Sequence, residues 1–246
     1  KVAVGHESTA NYINYFLLNN KTLISGFIAI SPKFSYDMEN YLIKRLDKIK
    51  TNIFYYLVSS DSDFKSINER TKNLSDNLTS LNNELVSFKY KQHKNLTHYN
   101  LPIHSISEGF EHVFATYTAI NSIEYNSVLS KILISPVKYL ENKYEDIFNF
   151  YGVNKNILVN DFRAVEKYIE ESENYKFYKD LSNLAIDKYP KTILGSYYMG
   201  LYHERTGDVR KAMHIYRSAY ILEDVEGISK DELLDKADLI SNDLKN

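Results

Sequence analysis

The first part of the chain alternates short apolar segments with longer stretches that have one apolar face. Four segments rich in β-branched and aromatic residues are predicted to be strands, at residues 2–4, 26–30, 53–59 and 86–93. Hydrophobic residues at helical spacing predict helices between and after them, at residues 10–19, 37–49, 63–85 and 105–120. Strands that alternate with helices are typical of α/β proteins, in which helices cover a largely parallel sheet.

The pattern changes after Pro136, where no further strand is predicted. Six amphipathic segments with short polar joints predict helices there, at residues 139–151, 161–171, 175–188, 193–206, 209–222 and 230–244. We therefore expect two domains, an α/β domain at residues 1–140 and an all-α domain at residues 141–246.

Part of the helical domain matches the tetratricopeptide repeat, a helix-turn-helix unit of about 34 residues. The match is carried by Met199, Gly200, Gly207, Asp208, Ala212, Tyr216 and Ala219. Small residues at three of these positions would let two helices approach closely, while Met199 and Tyr216 fill the space between repeats. An ordinary helical hairpin is the alternative. A tetratricopeptide-like hairpin domain predicts that a protein or peptide partner binds on its surface.

Charge and cysteine content exclude several classes of function. The chain has 30 basic and 32 acidic side chains, so no basic surface for nucleic acid is expected. With no cysteine, it can form neither disulfides nor thiolate metal sites. No apolar run reaches the roughly 18 residues of a membrane span, and no glycine-rich phosphate-binding motif is present. We predict no cofactor and no metal, and the compartment is left open.

The chain opens on a segment with the layout of a nucleophile elbow, a sharp strand-to-helix turn that presents a catalytic side chain. The apolar strand leads into Gly5 and His6, and a helix is predicted from Ala10. Residues 26–37 follow with Gly-Phe-Ile-Ala-Ile-Ser-Pro-Lys-Phe-Ser-Tyr-Asp. Together these segments resemble the esterase branch of the α/β-hydrolases, which includes the enterochelin and siderophore esterases. The resemblance implies the C-terminal half of an α/β-hydrolase sheet with flanking helices.

The elbow departs from that family at the nucleophile. Glu7 stands where the family has its nucleophilic serine, and Ser8 stands one place later. Ser8 cannot substitute, because only one elbow residue points its side chain into the site, and its neighbour contributes a backbone N–H instead. A carboxylate can itself be a covalent nucleophile. Glu7 therefore marks either a degenerate elbow without acyl transfer or a carboxylate nucleophile.

The resemblance also implies positions for the other two members of a catalytic triad. His98 lies in a Leu-Thr-His segment after the strand at 86–93, where the family has its catalytic base. The acid should follow the strand at 53–59, where Asp61 and Asp63 both occur. Asp63 could equally cap the next helix, a role that aspartate often has. The choice between the two carboxylates stays open.

Other histidines carry weaker signals. His93, His104 and His112 lie near His98 in sequence, but their spacing does not match a zinc motif such as His-Glu-x-x-His. Glu108 and Glu111 share one predicted helix with two of them, and a solvated helical face explains that arrangement.

Two functions follow from these residues. The first is an esterase-like domain that no longer hydrolyses esters and acts as a binding or interaction protein. The second is an active carboxylic-ester hydrolase that uses His98 with Asp61 or Asp63.

The strand at residues 2–4 is expected at an open position in the sheet, because only four residues precede Gly5. In the family, earlier strands neighbour this one, and a loop from one of them supplies part of the oxyanion hole. We therefore expect a preceding segment or another chain to pair with this strand, or else an open sheet edge.

Overall fold

The first part of the chain forms a parallel sheet of four strands in the computed structural model, which describes residues 1–20 and 22–245. The strands lie in chain order: β1 (Val2–His6), β2 (Gly26–Ile30), β3 (Ile53–Ser60) and β4 (Val86–His93). Every residue of β2 and β3 is buried, as expected for central strands covered on both faces. All four predicted strands are confirmed.

Helices cover both faces of this sheet. They are α1 (Ser8–Leu18), α2 (Met38–Lys48), α3 (Lys65–Thr79) and α4 (Leu101–Val113). Phe27 and Ala29 of β2 share a core with the first three helices, whereas Ile28 between them contacts Gly109 of α4. Since successive side chains of a strand point to opposite faces, α4 lies on the face opposite α1, α2 and α3.

Two predicted helices have wrong boundaries. The helix predicted at 63–85 ends at Thr79, because Asn83 begins a turn and its side chain donates to the backbone oxygen of Leu46. The helix predicted at 105–120 begins at Leu101 and ends at Val113. It starts early because Pro102 lies in its first turn, where proline is tolerated and no N–H is needed.

β1 lies at one edge of the sheet. It pairs with β2 from Val2 to His6, in register with Gly26 to Ile30. Among the described residues, no strand pairs with its other side. This is the open sheet edge expected for this strand.

The remainder of the chain is helical. It comprises α5 (Ser122–Ser127), α6 (Pro136–Tyr151), α7 (Val159–Ser172), α8 (Phe177–Lys188), α9 (Leu194–Arg205), α10 (Val209–Ser218) and α11 (Lys230–Asp243), with 3-10 turns at Leu129–Lys131 and Ala219–Ile221. The six predicted helices are confirmed, with shifted ends. The short α5 was not predicted; Asn121 caps it by accepting hydrogen bonds from two backbone N–H groups.

The helices of this part pack closely against one another where small residues lie between them. Consecutive helices from α8 to α11 pack on one another. Gly200 of α9 lies against the Tyr216 ring of α10, and a Cβ at Gly200 would come within 2.0 Å of that ring. Ala212 and Ala219 are buried, as expected. These contacts agree with close hairpin packing, whereas the tetratricopeptide assignment itself stays a prediction.

The chain divides into two units, Lys1–Ala115 and the residues from Thr116 onward, each with its own hydrophobic core. This division comes well before the boundary expected between residues 140 and 141. Tyr117, Ile120 and Val137 pack into the helical core, so the segment that contains them belongs to the second unit. None of the helices in the described part of the chain is long and apolar enough to cross a membrane.

Candidate functional site

Glu7 occupies a strained turn between β1 and α1. Its backbone has φ 55° and ψ −117°, a positive φ that is uncommon for any residue other than glycine. The turn is fixed by its backbone: Glu7 N–H donates to the oxygen of Ile30 at 3.1 Å, and the Glu7 oxygen accepts from Lys33 N–H at 3.1 Å. The segment therefore has the sharp strand-to-helix geometry of a nucleophile elbow.

Gly5 makes this sharp turn sterically feasible. A Cβ on Gly5 would lie 2.6 Å from backbone atoms of both Thr9 and Ala10. No side chain can occupy that space, because the atoms it would meet belong to the backbone. A glycine two residues before the turn is thus a requirement of the elbow.

His98 reaches the elbow from the loop that follows β4. Its side chain is only 5% exposed, and its Nε2 lies 3.7 Å from Glu7 Oε2. Its Nδ1 lies 2.7 Å from Asp63 Oδ1, and the Asp63 side chain is fully buried. Glu7, His98 and Asp63 thus form a row in which one imidazole lies between two carboxylates. The distance from His98 to Glu7 exceeds that of a direct hydrogen bond and is within the reach of a general base acting through one water.

Ser31 contacts both Asp63 and His98. The sequence did not mark it as a candidate site residue. Its hydroxyl donates to Asp63 Oδ2 and lies 3.2 Å from His98 Nδ1. Ser31 is buried at the end of β2 with a positive φ of 49°. It belongs to the Ile-Ser-Pro segment that contributed to the family resemblance, and this was its only signal in the sequence.

Asp61 does not contact the histidine. Its carboxylate accepts the Asn95 N–H at 2.8 Å and the Ser62 hydroxyl at 3.0 Å. These hydrogen bonds, the one from Asn95 first, hold the pKa of Asp61 below its ordinary value. Since Asn95 lies in the loop before His98, Asp61 shapes that loop, and of the two candidate acids the structure brings Asp63 to the imidazole.

The alternative role of Asp63 as a helix cap is not what the structure shows. Helix α3 starts at Lys65, with Phe64 at its N-cap and no side-chain capping hydrogen bond. Asp63 Oδ1 accepts only the N–H of the adjacent Phe64, at 2.7 Å, besides facing His98. Its position is therefore set by the histidine and by Ser31.

Ser8 lies beside the site without joining the row. It is the first residue of α1, and it is exposed. N–H groups in the first turn of a helix have no partner within that helix. The backbone of Ser8 therefore fits the expected role of an N–H donor next to the nucleophile position, while its hydroxyl has no place in the row.

Two further side chains complete the surroundings of Glu7 and His98. Lys33 Nζ lies 3.9 Å from Glu7 Oε1, and its side chain is mostly exposed. The His6 ring packs against the His98 ring, with 4.4 Å between centroids. Burial, and after it the neighbouring His98, lower the pKa of His6.

Glu108 is not part of a solvated helical face, in contrast to the interpretation from sequence. Its carboxylate accepts the Tyr56 hydroxyl at 2.8 Å and pairs with Lys91, and it lies 3.3 Å from His93 Nε2. Burial alone would raise the pKa of Glu108, but the hydrogen bonds from Lys91 and Tyr56 lower it. This cluster ties α4 to β3 and β4, and spacing along one helix could not reveal partners on two strands.

The described residues contain no group of three or more histidine and acidic side chains placed to hold a metal ion.

Comparison with known proteins places the fold. The chain is similar to an uncharacterised protein from Capnocytophaga ochracea, with 22% identity and a TM-score of 0.79, over 98% of this chain and 68% of that one. It is also similar to an IroE-like serine hydrolase from Shewanella oneidensis, with 16% identity and a TM-score of 0.50, over 74% of this chain and 58% of the hydrolase. No family model and no curated protein matches the chain. The chain thus shares its overall fold with these two structures, and its first unit is a mixed α/β unit with a four-stranded parallel sheet.

Proposed function

We propose that the first unit is an esterase-like domain that no longer carries out serine-type ester hydrolysis and acts as a binding domain. The observation that carries this proposal is Glu7 at the strained turn, with its carboxylate facing His98. In serine-type acyl transfer, the hydroxyl gives its proton to the imidazole as it attacks the carbonyl carbon. A carboxylate has no such proton to give, so His98 cannot activate Glu7 in that way.

The residues that would orient a catalytic histidine are still present around Glu7. His98, Asp63 and Ser31 keep the contacts that orient an imidazole towards the elbow. Buried polar groups are costly unless they are hydrogen-bonded. A site that retains this buried network without a hydroxyl nucleophile is suited to binding a polar group at the elbow.

A carboxylate nucleophile is the second candidate, favoured by the same intact pair of His98 and Asp63. In this mechanism, a Glu7 oxygen attacks the ester carbonyl carbon, the ester C–O bond breaks, and the departing alkoxide takes a proton from solvent, which leaves a mixed anhydride on Glu7. His98 then takes a proton from a water molecule as its oxygen attacks the acyl carbon; the anhydride bond breaks, the acid is released, the Glu7 carboxylate is restored, and His98 returns its proton to solvent. Because glutamate is one methylene longer than aspartate and attack geometry is sensitive to displacements of about 1 Å, we rank this mechanism second.

For the second unit we propose a tetratricopeptide-like function, binding a protein or peptide partner. Two observations support this proposal: Gly200 lies against Tyr216, and Ala212 and Ala219 are buried. Gly200, Ala212 and Ala219 stand at the positions where such repeats require small residues. Stacked helical hairpins of this kind generally present an extended binding surface.

Hydrolysis of p-nitrophenyl acetate tests the proposal for the first unit. We expect the wild-type protein, Glu7→Ala and His98→Ala to release p-nitrophenol at the same background rate. His214→Ala is the matched control, because His214 is an exposed histidine of α10, and it corrects for hydrolysis by surface imidazoles. Turnover that is lost in both Glu7→Ala and His98→Ala but kept in the control would establish the carboxylate-nucleophile enzyme instead.

A further inference from the structure

The elbow presents hydrogen-bond acceptors that lack donors. His98 Nδ1 faces the Asp63 carboxylate at 2.7 Å, so in the neutral imidazole that nitrogen carries the proton and Nε2 carries the lone pair. His98 Nε2 is buried and has no hydrogen-bond partner among the residues that the structure describes. Glu7 Oε2, a second acceptor, lies 3.7 Å from this nitrogen, beyond hydrogen-bond distance.

His6 adds a third acceptor beside the first two. Its ring lies against that of His98, and its Nε2 is likewise buried without a partner. In the neutral tautomer that carries its proton on Nδ1, the His6 ring has its lone pair on Nε2 and can accept a hydrogen bond there. Buried polar atoms are nearly always hydrogen-bonded in native proteins, and each exception requires an explanation.

Aromatic side chains border the same place. The rings of Phe64 and Tyr99 lie 4.8 and 5.2 Å from the His98 ring, measured between centroids. Both side chains are exposed, by 54% and 76%. Aromatic faces attract cations and also cover apolar stems. The site therefore combines a partly exposed carboxylate, two imidazole acceptors and an aromatic border.

We propose that the elbow binds the protonated primary amine of a small ligand, with its ammonium group between Glu7 and His98. This inference rests on the proposed binding function of the first unit. An ammonium group has three N–H donors and no acceptor, which matches Glu7 Oε2, His98 Nε2 and His6 Nε2. An anionic ligand would face the Glu7 and Asp63 carboxylates, and among the described residues Lys33 is the one cation that forms an ion pair with Glu7.

Binding of butylamine to the full chain provides the test, with 1-butanol and butyrate as isosteric probes. The ring resonances of His6 and His98 in a proton–carbon correlation NMR spectrum report on the site. We expect butylamine to shift both resonances saturably, at concentrations at least tenfold below those required for either of the other two probes. Equal or stronger binding of butyrate would overturn the proposal.

Two carboxylate variants localise the effect. Glu7→Gln should weaken butylamine binding about tenfold, because the loss of a hydrogen bond to a charged group lowers affinity by roughly a factor of ten. Glu84→Gln is the matched control, because Glu84 is an exposed carboxylate that precedes β4, at the opposite end of the sheet from the elbow. Equal affinities of the two variants would overturn the proposal.

Lys33 offers an internal competitor for the same carboxylate. We expect Lys33→Met to bind butylamine more tightly than the wild type, by severalfold, because one cation beside Glu7 is removed. If butylamine binds only to Lys33→Met and not to the wild type, the native occupant is Lys33 itself, and the proposal fails. Ester turnover that depends on Glu7 and His98 would instead refute the proposed function, whichever probe binds.

Discussion

Glu7 shows how one residue can be held in a conformation that it does not favour. A positive φ in a residue other than glycine costs on the order of 1–3 kcal/mol and persists only where the surroundings fix it. Here the backbone of Glu7 is hydrogen-bonded to Ile30, Lys33 and Asn11. Such strain is concentrated at functional sites, which agrees with an elbow that presents the side chain of Glu7.

Glycine at position 7 should relieve that strain. We expect Glu7→Gly to raise the free energy of unfolding by about 1 kcal/mol relative to Glu7→Ala, because glycine adopts this φ without steric cost. Both variants lose the carboxylate, so their difference isolates the backbone. Urea denaturation measures it, and equal stabilities would show that the turn is not strained.

At the scale of single residues, the sequence pointed to Glu7 and His98 as site residues, and their side chains lie 3.7 Å apart, but it could not choose between Asp61 and Asp63. Both aspartates lie in the same turn after β3, and only the path of that turn directs one of them to the imidazole. Ser31 was missed because its contact with Asp63 depends on a positive φ, which a serine in a sequence does not indicate.

At the scale of elements, the elbow depends on a close approach between β1 and α1. Gly5→Ala should lower the free energy of unfolding by at least about 2 kcal/mol, since its Cβ would overlap backbone atoms that cannot move independently.

Gly26→Ala is the matched control in the neighbouring strand. Its Cβ would meet only side-chain atoms of Val113 and Val2, at 3.0 and 3.1 Å, which can adjust. Thermal or urea unfolding ranks the two variants. A cost for Gly5→Ala no larger than that for Gly26→Ala would contradict the account of the elbow.

Periodicity located the strands and most helices, because buried faces leave a clear pattern. Helix ends were less well predicted. The segment at residues 80–85 continues the leucine pattern of α3 at Leu81 and Leu85, yet it turns away at Asn83. The side chain of Asn83 stabilises that turn through contacts with the end of α2, and such distant partners are not visible along the chain.

At the scale of the whole molecule, each unit has a hydrophobic core of its own. The helical core includes Gly200 packed on Tyr216, and the sheet core includes residues from β2, β3 and three helices. The sequence predicts two domains that meet at residues 140 and 141, whereas the two compact units meet at residues 115 and 116. Residues 116–135 have no strong periodicity that would assign them to either core.

A change in the helical core should therefore act on that unit. Gly200→Ala places a Cβ where the Tyr216 ring lies, and overpacking of this kind costs about 1–3 kcal/mol. We expect faster amide hydrogen exchange in α9 and α10, and unchanged protection in β2 and β3. Faster exchange in the sheet as well would show that the two units unfold together.

We propose that Glu7 occupies the nucleophile position of a hydrolase elbow and that His98 occupies the position of the catalytic base. Labelling of Glu7→Ser by a fluorophosphonate probe tests this most directly. A serine activated at position 7 would attack phosphorus and expel fluoride while the imidazole takes the hydroxyl proton. We expect Glu7→Ser to be labelled, and the wild type and the double variant Glu7→Ser with His98→Ala to remain unlabelled. Labelling of the wild type, or equal labelling of the single and double variants, would contradict the claim.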